Sequence, residues 1–164
     1  MVSQRQITIL GVGNLLFRDE GLGIHVIERL ETGFVFPDQV SLVDGGTLGL
    51  SLLGVVTAAD DLIIVDAIRK GGEPGTLYRM GGDDVPYRVL AKNSLHQVDL
   101  LETMTLCHVL DRFPEIIIIG VEPADIESMG IELTPMIASK VKPIIEMVLK
   151  ELDSLGVRCR RRES

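Results

Sequence analysis

The chain has 164 residues, 46% of them apolar, which suits one domain with a full core. Its 24 acidic and 16 basic groups leave a formal charge of −8, and it has no tryptophan; an acidic chain without a stacking platform argues against nucleic-acid binding. No apolar run approaches the roughly 20 residues of a bilayer span, and no secretory leader pattern opens the sequence, so a soluble, cytoplasmic, monomeric protein without membrane contact is expected.

In chain order, Gln6 to Val12 is short, apolar and bounded by glycine, which predicts a buried strand. Glu20 to Glu31 follows as a helix with Ile24, Ile27 and Leu30 on one face. A second strand, Val40 to Asp44, stops at Gly45-Gly46, and Leu48 to Thr57 is a short helix. Leu62 to Ala67 is a third strand. Thr76 to Met80 is a fourth, at an edge, after the turn Gly71-Gly72-Glu73-Pro74-Gly75. Leu95 to Arg112 has helical spacing, Ile116 to Val121 is the most apolar strand, and Pro135 to Leu155 reads as one closing helix. The tail Arg158-Cys159-Arg160-Arg161-Arg162 is expected to be solvated, so that 157–164 is a disordered extension of a single domain spanning 1–156. Cys107 reads as a core residue of the third helix. With Cys159 in the tail and no C-x-x-C spacing, neither a disulfide framework nor a cysteine zinc site is indicated.

Apolar runs, rather than alternating patterns, mean strands covered on both faces, and the intervening helices supply right-handed crossovers. The expected fold is therefore α/β: a three-layer α/β/α sandwich around a mostly parallel, twisted sheet of about five strands. Ligands in such folds bind outside the carboxyl ends of the strands, where the strand order reverses.

The loop Gly11-Val12-Gly13-Asn14-Leu15-Leu16-Phe17-Arg18-Asp19-Glu20-Gly21-Leu22-Gly23 lies at that edge. It resembles a dinucleotide cradle only in part. Leu16 stands where the third glycine of G-x-G-x-x-G belongs, no Walker lysine is present, and Asp19-Glu20 puts negative charge where a pyrophosphate would sit. Asp19 is expected to cap the helix. That leaves Glu20 unexplained.

Other acids terminate the apolar strands: Asp44 ends the second and Asp66 the third, inside Ile63-Ile64-Val65-Asp66-Ala67. A carboxylate in such a run is costly unless it is hydrogen-bonded, paired or metal-bound. Ser94-Leu95-His96-Gln97 has the capping-box pattern and sets His96 in the first turn of a helix, where the dipole keeps imidazole neutral and fit for metal ligation. Glu20, Asp66 and His96 can thus converge on one edge as an open metal site. His25 and His108 read as surface or core histidines, and Asp83-Asp84 as a solvated loop. No serine sits in a nucleophile elbow, which leaves metal-assisted or carboxylate chemistry.

These pieces together resemble the hydrogenase maturation endopeptidases, which process the large subunit of [NiFe] hydrogenases. The matching motifs are Gly11-Val12-Gly13-Asn14 with Asp19-Glu20, Asp44-Gly45-Gly46-Thr47, Asp66-Ala67-Ile68, Ser94-Leu95-His96-Gln97 and Ile119-Gly120-Val121-Glu122-Pro123. The resemblance spans roughly Ile7 to Gly156. It implies that Glu20, Asp66 and His96 bind nickel already held by the large-subunit precursor, a site that zinc or cadmium can fill in vitro. Nickel is then the recognition signal for removal of a C-terminal peptide. Asp66 and His96 join Asp44, the remaining acid at the edge, as the catalytic set. The family is grouped with aspartic-type peptidases, although the paired Asp-Thr-Gly motifs are missing here. Two other readings stand beside it: a nickel carrier or checkpoint protein that uses the same three ligands to hold the precursor without cutting it, and a dinucleotide-binding enzyme built on the glycine loop.

Overall fold

A computed structural model describes residues 4–46, 52–81 and 114–163. The expected helix Leu95–Arg112, with His96, Cys107 and His108, lies outside the described residues, as do Asp83-Asp84 and the Leu48–Ser51 part of the second expected helix.

Five strands form one sheet: β1 (Ile7–Gly11), β3 (Val40–Asp44), β4 (Asp61–Ala67), β5 (Leu77–Gly81) and β6 (Glu115–Val121), in the order β3-β1-β4-β6-β5. All pairs are parallel except β5–β6, which is antiparallel and leaves β5 at an edge. Every residue of β1 and β4 is buried, as continuous apolar runs require when helices cover both faces. Alternate residues along each strand separate two cores. Ile7, Ile9, Ile63, Val65 and Ile119 pack against α1 (Leu22–Gly33), α3 (Pro135–Ala138) and α4 (Val141–Ser154). Leu10, Leu62, Ile64 and Ile118 face the other way, toward Val56 of α2 (Leu52–Thr57). The architecture is the expected layered α/β sandwich.

Two expectations change. The closing helix is broken between α3 and α4, because Pro143 cannot donate to the backbone four residues earlier and its ring clashes with the carbonyl of Ser139. Proline is tolerated only where it lies, in the first turn of α4. The tail is ordered rather than disordered at 160–161. There, β7 (Arg160–Arg161) pairs antiparallel with β2 (Phe34–Val35) at the end of α1. The Arg162 N–H donates to the Gly33 carbonyl at 2.9 Å, and the Arg161 guanidinium lies 5.9 Å from the centre of the Phe34 ring. These arginines stay exposed, so solvation and pairing coexist. No helix among the described residues is long and apolar enough to cross a membrane.

Candidate active site

The chain leaves β1 for β3 on one side and then returns to β4 on the other, so the strand order reverses between β1 and β4. The loop after β1 covers this point. Val12 N–H donates to the Val65 carbonyl at 3.0 Å, and Asn14 N–H to the Glu20 carbonyl at 3.2 Å. Gly13 has φ +144°, and a Cβ there would stand 1.9 Å from the Glu20 carbonyl oxygen. A Cβ on Gly23 would stand 2.3 Å from the Val65 carbonyl oxygen. Glycine is therefore required twice: once to fold the loop back on itself, and once to let the start of α1 press on the end of β4. The consequence for the site is direct. The turn bearing Glu20 packs on the strand that bears Asp66.

Asp66 is 3% exposed, whereas Glu20 is half-buried. Asp44 ends β3, level with Gly11 of β1, and is exposed; its Oδ1 accepts the Gly46 N–H at 2.9 Å. All three acids thus sit at the carboxyl ends of the neighbouring strands β3, β1 and β4, as the sequence suggested. The pleat adds a distinction invisible in the sequence. Asp44 shares the α1 face with Val40 and Leu42, while Asp66 shares the opposite face with Leu62 and Ile64. His96 lies outside the described residues, and among the described residues no three His, Cys, Asp or Glu side chains are grouped to hold a metal ion. His25 reaches the Ile131 carbonyl with Nε2 at 2.9 Å, a tether on the surface.

Asp19 does not cap α1. The residue before α1 is Gly21, and no side chain caps it. Asp19 lies within a 3-10 turn, Arg18–Gly21, and is 0% exposed. Its Oδ2 accepts the N–H groups of Ala124 (2.9 Å) and Asp125 (2.8 Å), and its Oδ1 accepts the N–H of Thr134 (2.8 Å). The Thr134 hydroxyl lies 3.0 and 2.9 Å from the two oxygens. These partners are more than a hundred residues away in sequence, so no local pattern could disclose them.

The hydrogenase maturation protease family profile matches residues 24–151. The chain belongs to that family. It is 38% identical over 161 residues to the hydrogenase 2 maturation protease of Escherichia coli, covering 97% of this chain and 98% of that one. It is 41% identical over 165 residues to the hydrogenase expression/formation protein HupD of Thiocapsa roseopersicina, covering 99% of this chain and 75% of the relative. The solved structure of the hydrogenase maturating endopeptidase HybD from E. coli superimposes with a TM-score of 0.89 at 36% identity, covering 96% and 98% of the two chains.

As a hydrogenase maturation protease, the chain must accept a polypeptide, and its carboxyl edge has two features that suit this. Of the five exposed large hydrophobics among the described residues, Met136 lies on α3, Leu16 on the loop after β1, and Met129 and Ile131 on the segment after β6. Those two segments are laced by Arg18 N–H to the Gly130 carbonyl and Gly130 N–H to the Leu16 carbonyl, both 2.8 Å. The second feature is Glu122, which the sequence offered only as part of a motif. It is buried just beyond β6, and its carboxylate accepts the N–H groups of Lys70 and Gly72 and the Tyr78 hydroxyl. Burial and the adjacent Glu122 carboxylate hold the Tyr78 hydroxyl above its ordinary pKa. The segment after β4 is thereby clasped to the end of β6, next to Asp66 and Ala67.

Proposed function

We propose that the chain is the endopeptidase that removes a C-terminal peptide from the nickel-loaded precursor of a [NiFe] hydrogenase large subunit. The observation that carries this reading is the close packing of the Glu20 turn against the end of β4, at the point where the strand order reverses. It brings the backbone that carries Glu20 and the strand that carries Asp66 together at the carboxyl edge, the place where ligands bind in sheets of this kind. In this reading Glu20 and Asp66, with His96, bind nickel that arrives in the substrate. Two oxygens and one nitrogen leave coordination positions for the precursor's own ligands. Zinc or cadmium added to the isolated protein would use the same donors.

The catalytic work falls to carboxylates and His96, in keeping with an aspartic-type grouping. Asp66, buried near the carboxyl end of β4, and His96 are the groups assigned to the reacting peptide. Asp44 is the third acid of the edge, and its turn with Gly46 gives it an oriented carboxylate that can take or return a proton. The exposed apolar side chains Leu16, Met129 and Ile131, on two loops joined through the Leu16 and Gly130 backbones, support a polypeptide substrate.

The test is incubation of the purified chain with nickel-loaded and nickel-free precursor, followed by mass spectrometry of both. Loss of the C-terminal peptide from the loaded precursor alone is expected. Equal cleavage of both removes nickel from the recognition step, and no cleavage of either removes the peptidase reading.

A further inference from the structure

Two acids stand side by side in the turn after β1, and the proposed chemistry uses only Glu20. In a 3-10 turn consecutive side chains point about 120° apart, so adjacent residues must serve different surroundings. Asp19 is wholly buried and Glu20 half-buried. Asp19 accepts three backbone N–H groups and one hydroxyl, all from the segment 124–134. Its own N–H donates to the Asp125 carbonyl at 3.0 Å, so the link is made by main chain and side chain together. The residue before it, Arg18, has φ +46° and is the one non-glycine with positive φ among the described residues. Such a conformation persists where surrounding bonds over-determine it. Here those bonds are Asp19's contacts and the Arg18 N–H to the Gly130 carbonyl.

We propose that Asp19 is a positioning residue: its buried carboxylate, anchored on the segment after β6, fixes the turn that holds Glu20 against the end of β4. The inference rests on Glu20 belonging to the site. Asp19 itself touches neither substrate nor metal. It acts by setting where the neighbouring carboxylate stands, and a misplacement of about 1 Å can cost on the order of a hundredfold in rate.

Asp19→Asn is the sharp variant. It keeps the shape, but an amide has one oxygen and one NH2 group. Whichever way it is turned, the NH2 meets a backbone N–H, either that of Thr134 or those of Ala124 and Asp125. Asp61→Asn is the control. Asp61 is also buried and charge-paired, with Arg5, but at the opposite end of β4, about 20 Å from the carboxyl edge at the usual strand rise. Both variants are compared with the unaltered chain at a temperature where circular dichroism shows all three folded. Amide hydrogen exchange is followed at Glu20, whose N–H donates to the Phe17 carbonyl, and kcat and KM are measured on the nickel-loaded precursor.

Asp19→Asn should raise exchange at Glu20 about tenfold or more and lower kcat on the order of a hundredfold, with little change in KM. Asp61→Asn should change neither. Unaltered exchange in Asp19→Asn overturns the proposal, as does raised exchange with normal kcat, or an equal loss of kcat in Asp61→Asn. If Asp19→Asn does not fold, Thr134→Val, which removes only the hydroxyl, must show the same pair of effects in smaller measure; normal values there overturn the proposal. An unaltered chain that cleaves no precursor refutes the functional reading instead, and the exchange arm then decides alone whether Asp19 holds the turn.

Discussion

Strand β4 begins with a buried aspartate, Asp61 at 5% exposure, and carries another, Asp66 at 3%, one residue from its end. In the sequence the two look alike in one respect: each borders the run Leu62-Ile63-Ile64-Val65, Asp61 as the second of the pair Asp60-Asp61 and Asp66 singly. Their surroundings differ. Asp61, at the amino end, receives Arg5 Nε and Nη2 at 2.8 and 2.9 Å, a two-pronged ion pair, and that pair holds the Arg5 guanidinium above its ordinary pKa. Asp66, at the carboxyl end, lies beside the turn of Glu20 and the clasped segment after β4. Burial of a charge is therefore not the mark of a site by itself. In a parallel sheet the deciding fact is which end of the strand carries it, because connections at the carboxyl edge converge on the point where strand order reverses.

The comparison breaks most visibly through paired substitutions. Asp66→Asn should abolish processing of the precursor, a loss of about a hundredfold or more for a positioned acid-base or ligand group, while the fold survives. Glu20→Gln and His96→Ala should behave in the same way. Asp61→Asn should do the reverse: processing at the normal rate, with a melting temperature lowered by roughly 5 °C. Single-turnover cleavage and thermal melting of the same preparations decide the matter. If Asp61→Asn proves as damaging to processing as Asp66→Asn, the two ends of β4 are not functionally distinct.

Glu122 sharpens the same contrast, because it is a buried acid at the carboxyl edge whose visible partners are backbone amides and Tyr78. Position at the edge is therefore necessary for a site acid without being sufficient. Glu122→Gln turns an NH2 group toward the N–H donors of Lys70 or Gly72, at a cost of about 3 kcal/mol. For a domain of this size that lowers the melting temperature by roughly 6–12 °C. Below the transition, kcat on the precursor should stay within about threefold of normal, in contrast to the Asp66 variant. A collapse of kcat in the folded Glu122→Gln protein would move this residue into the chemistry.

Much of this layout was legible in the sequence. The continuous apolar runs gave β1, β3, β4 and β6 to within about a residue at each end, because strands buried on both faces leave little ambiguity once glycines and acids bound them. Val40–Asp44 needed no adjustment. Pro143 was in plain view and could have divided the closing helix, but the apolar period on either side of it concealed the break. The rest depended on contacts across the whole chain. Asp19 looks like a helix cap because Asp commonly caps helices; its true partners, Ala124, Asp125 and Thr134, come from the segment following β6. The strand in the arginine tail depends on Phe34 and Val35 at the far end of α1. Glu122 could be noticed as part of a motif, yet its clasp exists only once β4, β5 and β6 are side by side.

The smallest expected effect concerns pH, and it separates the loops from the site. The Asp125 carboxyl is held below its ordinary pKa by the backbone N–H of Ser128, the Ser128 side chain and the Glu127 N–H. A depressed pKa in the folded state means that this stabilisation is present above the unfolded value, about 3.9, and is lost as pH falls through the lower folded value. Tyr78 has the opposite sign: its raised pKa gives stability that is complete below about 10 and is lost as pH rises through the folded value. Neither group changes charge between about pH 5 and 9, so the segments after β6 and β4 should hold their form throughout that interval. Melting temperature measured against pH should therefore show an acid limb below about pH 4 that shrinks in Asp125→Asn, and an alkaline limb above about pH 10 that shrinks in Tyr78→Phe. Because Asp125 is only half-buried, the acid limb it controls should be only a small part of the whole acid transition. If either substitution reshapes the profile near neutrality, the two edge segments titrate together with the site, and the distinction between acids that hold the edge and acids that work there is lost.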